Sequence, residues 1–323
     1  MNMGCQRFSP ATDKQTKTKE QLIRARGALV GLACGDALGT TLEFRQRVNG
    51  SVLHTEMTGG GAFNVKPGEW TDDTAMALCM AASLTEQKGF DPVDQLNRYV
   101  HWRQEGYQAC QGRCIDIGGA TSAALNRFTK NNMAFAGSTE ARSSGNGGIM
   151  RLAPTVLAAA DYTSTIALAI DSSRTTHASP DSLDAAELLG HILWQLLQGE
   201  KLHALLENLP QFISRDANIR RIQKGDFRYM DRAAVNSSGY TIHTLEAALW
   251  SCYHSNSFEK ALIKAVNLGG DADTVGAVTG QIAGAAYGAS AIPQRWLAKL
   301  AWKDKLQAYA DSLIELELAY RAS

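Results

Sequence analysis

A chain of 323 residues with 32 basic and 32 acidic side chains carries no formal net charge, which removes the electrostatic basis for a general nucleic-acid or polyanion binder. At 45% apolar and 20% charged, the composition is that of an ordinary globular protein, long enough for one large core or two smaller ones. The six cysteines form no CxxC pair and read as free thiols of a reducing, cytoplasmic setting, not as a disulfide framework.

The opening "MNMGCQRFSPATDKQTKTKEQ" has no apolar core and does not read as a secretory signal. Residues 1–17 are polar and are expected to form a flexible arm, with 18–323 as one domain. From there the pattern is helical. "KEQLIRARGALVGLACGDALG" places Leu22, Leu29, Ala33 and Ala37 near one face. "SVLHTEM" (51–57) is the one strand-like stretch. "WTDDTAMALCMAASLTEQKG" opens on a Thr/Asp cap and stops at Gly89. "DPVDQLNRYVHWRQEG" has Asp91 as N-cap and Pro92 at the first helical position, and "SPDSLDAAELLGHILWQLLQG" repeats the device with Ser179 and Pro180. Residues 209–240 are polar and basic, and read as a long surface loop with room for one short helix. "TIHTLEAALWSCYHS" and "SFEKALIKAVNLG" are amphipathic helices, the second ending at Gly269 or Gly270. No linker divides the chain, so one large α-helical domain is expected.

The run from Thr274 to Ile292 has no charged residue and is long enough to span a bilayer. It lacks leucine and phenylalanine and carries glycine at 276, 280, 284 and 288, a composition that insertion favours little. It reads instead as a buried helix packed backbone to backbone, with no membrane partner. Each interior glycine costs about 0.5–1 kcal/mol relative to alanine, so the helix needs close tertiary contacts.

Two acidic clusters stand at two helix starts: Thr71, Asp72 and Asp73, then Asp271, Asp273 and Thr274. Either alone reads as an N-cap, since Asp and Thr are favoured there and the helix dipole welcomes acid. Together they hold more carboxylates than capping needs, and they introduce alanine-rich helices that should be buried. Buried carboxylates must be paired or bind a cation, and no matching set of Lys or Arg lies beside them. Carboxylate and hydroxyl oxygens suit Mg²⁺, Mn²⁺ or Ca²⁺, and four aspartates suffice for two ions.

Other segments carry weaker signals. "RSSGNGGIMRLAPTV" sets Gly145, Asn146, Gly147 and Gly148 before an apolar run, which reads either as a plain turn or as backbone N–H groups gathered for a diphosphate. It is neither a P-loop nor a dinucleotide fingerprint. His177 precedes the cap at Ser179, Asp116 in "CIDIGGATSAAL" stands where an N-cap could, and Asp36 and Glu43 flank a glycine-rich helix end. Tyr240 sits at a loop-to-helix junction where its ring could stack on a base.

In order, "GALVGLACGDALGTTLEF", "GEWTDDTAMAL", "CIDIGGATSAAL", "GNGGIMRLAP", "THASP", "SGYTIHTLEAAL" and "NLGGDADTVGAVTGQIAGAAYG" resemble the ADP-ribosylglycohydrolase family from about residue 20 to about residue 300. The resemblance implies an all-α orthogonal helical bundle around a central cleft with two Mg²⁺ or Mn²⁺ ions. It implies metal binding by Thr71, Asp72, Asp73, Asp271, Asp273 and Thr274. It also implies catalytic roles for Asp116 and Glu43, and substrate contacts from Gly145, Asn146, Gly147, Gly148, His177 and Tyr240. The activity implied is removal of ADP-ribose from modified proteins, with arginine the first choice of linkage and O-linked serine or poly(ADP-ribose) the second. A non-catalytic binder is the alternative from another class. The arm leaves room for direct binding of an ADP-ribosylating toxin, an immunity role. One departure is visible: His243 stands where an acidic residue is expected in "GYxxDTL".

Overall fold

Glycine sets the centre of this fold. The computed structural model describes residues 8–10, 17–50, 52–214 and 216–320. In chain order the helices are α1 (Lys19–Gly39), α2 (Asp72–Gln87), α3 (Pro92–Glu105), α4 (Gly119–Asn131), α5 (Gly147–Met150), α6 (Ala153–Ala158), α7 (Tyr162–Arg174) and α8 (Pro180–Leu197). They continue as α9 (Leu202–Glu207), α10 (Ala217–Lys224), α11 (Thr241–Tyr253), α12 (Phe258–Val266), α13 (Ala272–Tyr287), α14 (Gln294–Leu297) and α15 (Lys303–Ile314). The expected all-α bundle is what forms.

Helices α1 and α13 run antiparallel through the middle and share the most extensive helix interface. Their glycines pair in register. Gly27 faces Gly284, Gly31 faces Gly280, Gly35 faces Gly276, and Gly39 faces Ala272 and Asp273. A methyl group on Gly276 would lie 2.5 Å from the carbonyl oxygen of Gly35. The two backbones are therefore as close as van der Waals radii permit, which is why both helices tolerate a residue that weakens helices. The uncharged run 274–292 is the buried partner in this contact. No helix among the described residues is long and apolar enough to cross a membrane.

The remaining helices wrap this pair. Helices α11 and α12 cover α13, α15 lies on α1, and α2 packs on α3, α6 and α15. Leu29, Leu32, Leu38, Met76, Trp70, Trp102, Phe258 and Trp296 are fully buried between them. Each such side chain contributes about 1.5–3 kcal/mol by leaving water.

Most helix starts follow their sequence signals. Thr18 and Gln21 form a reciprocal capping box before α1. Asp91 accepts from the N–H groups of Val93 and Asp94, and Ser179 from that of Ser182. The strand expected at 51–57 does not form among its described residues. The side-chain amide of Asn267 takes the place of a neighbouring strand, accepting from His54 N at 2.9 Å and donating to His54 O at 2.8 Å. In 209–240 the structure has α10 and two short 3₁₀ turns, at Asp226–Tyr229 and Arg232–Ala234. Helix α12 ends at Val266, three residues before the glycines expected to stop it. Of the N-terminal arm, Phe8–Pro10 pairs antiparallel with Leu318–Tyr320, and Lys17 pairs with Glu317 at 2.9 Å. The rest of the arm lies outside the described residues.

Candidate active site

The α1–α13 contact delivers the C-terminal turn of α1 and the N-terminal turn of α13 to one place, and α2 begins there too. Asp36, on the last turns of α1, faces the start of α2 and satisfies it. Its Oδ1 accepts from Thr71 N and Thr71 Oγ1, each at 2.9 Å. Its Oδ2 accepts from Thr74 N at 3.0 Å and Thr74 Oγ1 at 2.6 Å. The free N–H groups of α2 are thus capped from another helix. Thr71 makes no side-chain cap of its own, and neither does Asp271 at the start of α13.

Capping therefore does not account for the two clusters. Thr71, Asp72, Asp73, Asp271, Asp273 and Thr274 sit where caps sit, but capping does not consume their oxygens. Carboxylate oxygens of Asp36, Asp73 and Asp273 lie within 4.8 Å of one another, and so do those of Glu43, Asp271 and Asp273. Asp273 belongs to both groups and joins them. Thr71 Oγ1 stands 3.3 Å from Asp273 Oδ2 and 3.5 Å from Asp73 Oδ2. Thr274 N donates to Asp273 Oδ1 at 2.9 Å.

The electrostatics are one-sided. Burial raises the carboxyl pKa of Asp72, Asp73 and Asp273 well above the usual range, and the leading neighbouring charges on each are other carboxylates. Asp36 is pushed up to about 6 by burial, against the pull of its four hydrogen bonds. Glu43 is pushed up to about 8, by burial first and then by Asp116, Asp271 and Asp36. Two oxygens, Asp73 Oδ1 and Glu43 Oε2, are buried with no hydrogen-bond partner. An all-oxygen donor set with orphaned oxygens and no cationic side chain as counterion fits one or two hard divalent cations.

Part of this acidic floor, Glu43, Asp72, Asp271 and Thr274, lines a cleft of about 500 Å³ together with Phe44, Asp116, Asn146 and His177 among others. Asp116 is not an N-cap. The cap of α4 is Gly118, and Asp116 lies before it in the left-handed region (φ 56°), where its carboxyl pKa is raised by burial and by Asp271. Phe44, next to Glu43, also has positive φ (59°) and is 69% exposed at the cleft. Its N–H donates to Gly270 O at 2.7 Å, and Gly270 N donates to Arg45 O at 2.8 Å, which ties this loop to the turn that carries Asp271.

The glycine segment is more committed than an open phosphate loop. Gly145 N donates to Ser143 O and Asn146 N to Gly239 O. Helix α5 that follows has only one turn. A side chain on Gly147 would collide with the His177 ring and one on Gly148 with Ser173, while one on Gly145 would crowd the same ring. The glycines are there so that His177 can lie against the cradle. Asn146 Nδ2 donates to Asp271 Oδ2 at 2.7 Å and Thr244 Oγ1 at 2.9 Å, linking the cradle to the acidic floor.

Tyr240 stands just beyond the cleft lining that its neighbours Ser238 and Gly239 supply. Its hydroxyl donates to Asp181 Oδ2 at 2.6 Å. His243 packs edge-on to Tyr240 and meets Ser238 Oγ through Nδ1 at 2.7 Å. The departure from the family pattern therefore touches this rim and not the acidic floor. The sequence reading noted Asp36 and Glu43 together but gave Asp36 no role. A carboxylate on the last turns of a glycine-stepped helix was its only signal.

A family profile described as ADP-ribosylglycohydrolase matches residues 17–322. The chain is 41% identical over 296 residues to a protein of Serratia proteamaculans named ADP-ribosylarginine hydrolase Tri1, covering 91% of this chain and 80% of that one. It is 34% identical to the ADP-ribosyl-[dinitrogen reductase] glycohydrolase of Rhodospirillum rubrum, covering 91% and 96%. A solved structure titled "ADP-ribosylglycohydrolase-related protein complex" superposes with a TM-score of 0.81 at 40% identity, covering 93% of this chain and all of that chain. With the helical bundle, the acidic floor and these likenesses in hand, the chain belongs to the ADP-ribosylglycohydrolase family and is a glycosyl hydrolase.

Proposed function

We propose that this protein removes ADP-ribose from arginine side chains of modified proteins, using two divalent cations, Mg²⁺ or Mn²⁺, held by Thr71, Asp72, Asp73, Asp271, Asp273 and Thr274, with Asp36 and Glu43 alongside. The observation that carries the reading is the acidic floor itself: carboxylates from three helices, two oxygens without a partner, and no positive side chain among the leading charges on them. Intact clusters of this kind speak against a non-catalytic binder. Arginine is supported by the names of relatives about 40% identical.

Cleavage at C1″ of ADP-ribose passes through an oxocarbenium-like state, and carboxylates around the ribose stabilise the positive charge that develops. Bound divalent ions would supply Lewis acidity toward the ribose hydroxyls and offset the charge of the floor. Glu43 has the raised pKa of a general acid. Its raised value comes from burial first and from neighbouring carboxylates, and Glu43 is the group we assign to protonation of the departing guanidine nitrogen. Asp116, on the cleft wall, would take the proton of the incoming water. Asn146 and the N–H groups at the start of α5 would hold the diphosphate and distal ribose, and Tyr240 the adenine edge of the site. Direct engagement of an ADP-ribosylating toxin by residues 1–17 is part of the same proposal, and it rests on their polar composition alone.

Incubation with matched arginine-linked and serine-linked ADP-ribosyl peptides tests the linkage. Release from arginine at least about tenfold faster is expected, which is roughly 1.4 kcal/mol of transition-state discrimination. Equal or faster release from serine would replace arginine in this reading.

The raised carboxyl pKa values also set how stability depends on pH. A carboxyl that titrates near 8 in the fold and at 4.5 in its ordinary environment stabilises the cation-free protein fully below about 4.5 and loses that contribution as pH rises through 8. Cation-free protein should therefore melt at lower temperature at pH 8 than at pH 5.5. Mg²⁺ or Mn²⁺ at about a hundredfold excess over Kd adds about 2.7 kcal/mol per site where the carboxylates are ionised. Calorimetry should show a cation-induced rise in Tm that is several-fold larger at pH 8. An equal rise at both pH values would mean that the floor is not what the cation binds.

A further inference from the structure

Beneath the glycine cradle lies a positive charge that the proposed reaction does not use. Arg151 is 0% exposed. Among the described residues no carboxylate pairs with it, and its Nε makes no hydrogen bond. An unpaired buried guanidinium is costly. What it does contact is specific. Nη1 donates to the carbonyl of Gly147, Nη2 donates to Thr176 Oγ1 at 2.6 Å, and the guanidinium lies 4.9 Å from the centroid of the Tyr99 ring.

Thr176 Oγ1 has one further contact, 2.8 Å to His177 Nδ1. A guanidinium can only donate, so at this hydroxyl it fills a lone pair. The hydroxyl proton then has a single acceptor within reach, the Nδ1 of His177. An imidazole that accepts at Nδ1 and is neutral must carry its proton on Nε2. Burial first, then Arg151 and Arg127, keep the ring neutral, with its pKa pushed down to about 3. The ring lies against Gly145 and Gly147 and lines the cleft, and no hydrogen bond from Nε2 to the described residues is recorded.

We propose that Arg151 and Thr176 are positioning residues that fix His177 as a neutral Nε2–H donor toward the substrate. The direction follows because Arg151 cannot accept: with a protonated Nδ1 the oxygen's second lone pair would be filled, but the buried Thr176 hydroxyl proton would be left without an acceptor. A threonine alone, free to rotate, would leave the ring a choice of tautomer. The consequence is selectivity by polarity: at His177 the cleft accepts a ligand oxygen with a free lone pair, such as a diphosphate or ribose oxygen, and rejects a donor. Because the ring does not titrate in the working range, this contact persists from pH 6 to pH 9.

The idea deepens the proposed reading of His177 as a substrate contact, but its first test needs no turnover. Protein labelled with ¹⁵N-histidine, with His177 assigned through His177→Gln, should show at pH 7 an unprotonated Nδ1 and a protonated Nε2 for that residue. Thr176→Val keeps the shape and removes the hydroxyl, so it should give a mixed tautomer. It should also raise KM for an arginine-linked ADP-ribosyl peptide about tenfold with kcat changed less than threefold. Thr176→Ser should restore both. A protonated Nδ1 in the unaltered protein, or an imidazolium at pH 7, would overturn the relay, even if Thr176→Val fails to fold. So would a Thr176→Val protein with unaltered spectrum and KM. A correct tautomer in a protein without ADP-ribosyl hydrolase activity would uphold the relay while removing the proposed reaction.

Discussion

Asp273→Asn removes at least about a thousandfold of the hydrolytic rate, the scale on which a charged group central to transition-state stabilisation acts. Asp273 is the one carboxylate shared by both oxygen groups of the floor. Its loss therefore disturbs both halves of the site, whereas a change at Asp73 or Asp271 touches one. Inactivity through misfolding is the trivial alternative, and stability separates the two. Asparagine matches aspartate in shape, can still accept from Thr274 N at its one oxygen, and sets an NH₂ group where the second carboxylate oxygen meets Thr71 Oγ1, a hydroxyl that can accept from it. It also removes one negative charge from a buried set in which every leading neighbour is negative. Cation-free Asp273→Asn should therefore melt above the cation-free parent at pH 8, and Mg²⁺ should no longer raise its Tm. A variant that is both inactive and less stable in the absence of cations would show that Asp273 serves the fold. Retained activity would remove it from the chemistry.

Gly280→Val produces the largest loss of stability. Helix propensity alone would make replacement of a mid-helix glycine favourable by up to about 1 kcal/mol for alanine. Here the added atoms meet the backbone of α1 at Gly31 and Leu32, not a side chain that could turn aside. Overpacking of a dense core costs about 1–3 kcal/mol where neighbours can adjust. Two backbones in contact adjust only by moving the helices apart, so a loss above about 3 kcal/mol is expected, with a fall in Tm of roughly 6–12 °C or more for a domain of this size. Activity should fall with it, because Asp36 on α1 and Asp273 on α13 hold the same oxygen group across this interface. Urea unfolding of Gly280→Val, with Gly280→Ala as the milder case, measures the effect. Two variants as stable as the parent would mean that the α1–α13 contact is looser than its geometry.

That interface also shows how far the sequence could be read. The glycine steps at 276, 280 and 284 marked α13 as a close-packed helix. The matching steps at 27, 31, 35 and 39 are equally plain in "RGALVGLACGDALG". A single chain does not say which two stripes meet, and that pairing is a tertiary fact. The same limit applies to Asp36. Its partners, Thr71 and Thr74, are some 35 residues away in sequence, so nothing local distinguishes it from an aspartate at a helix end. Thr71, Asp72, Asp73, Asp271, Asp273 and Thr274 stand out in the sequence because each cluster is overloaded with oxygen where a helix begins. The strand at 51–57 was misread because β-favouring residues there satisfy their backbone through the side chain of Asn267, which periodicity cannot reveal. The glycine segment reads in sequence either as a plain turn or as a diphosphate cradle, and no local pattern shows that two of its N–H groups are spent on Ser143 and Gly239 or that its missing side chains make room for His177.

The surroundings of Glu43 and Asp116 sharpen the division of labour. Both have raised carboxyl pKa values, but Glu43 holds an unpartnered buried oxygen and Asp116 sits more openly on the cleft wall. Environments that separate two carboxyls in this way are how one site runs acid and base chemistry together. Phe44 follows Glu43 in a backbone conformation that bulky residues avoid, and its loop is tied to the turn that carries Asp271. A shift of one is therefore felt by the other.

The central claim is that the acidic floor, loaded with divalent cations, hydrolyses the ADP-ribosyl bond. Its most direct test is release of free ADP-ribose from a defined arginine-linked ADP-ribosylated protein, measured after complete chelation and again on adding back Mg²⁺ or Mn²⁺. No release in chelator, full recovery with the cation, and none in either condition for Asp273→Asn is the expected result. Undiminished release in excess chelator, or by Asp273→Asn, would contradict it.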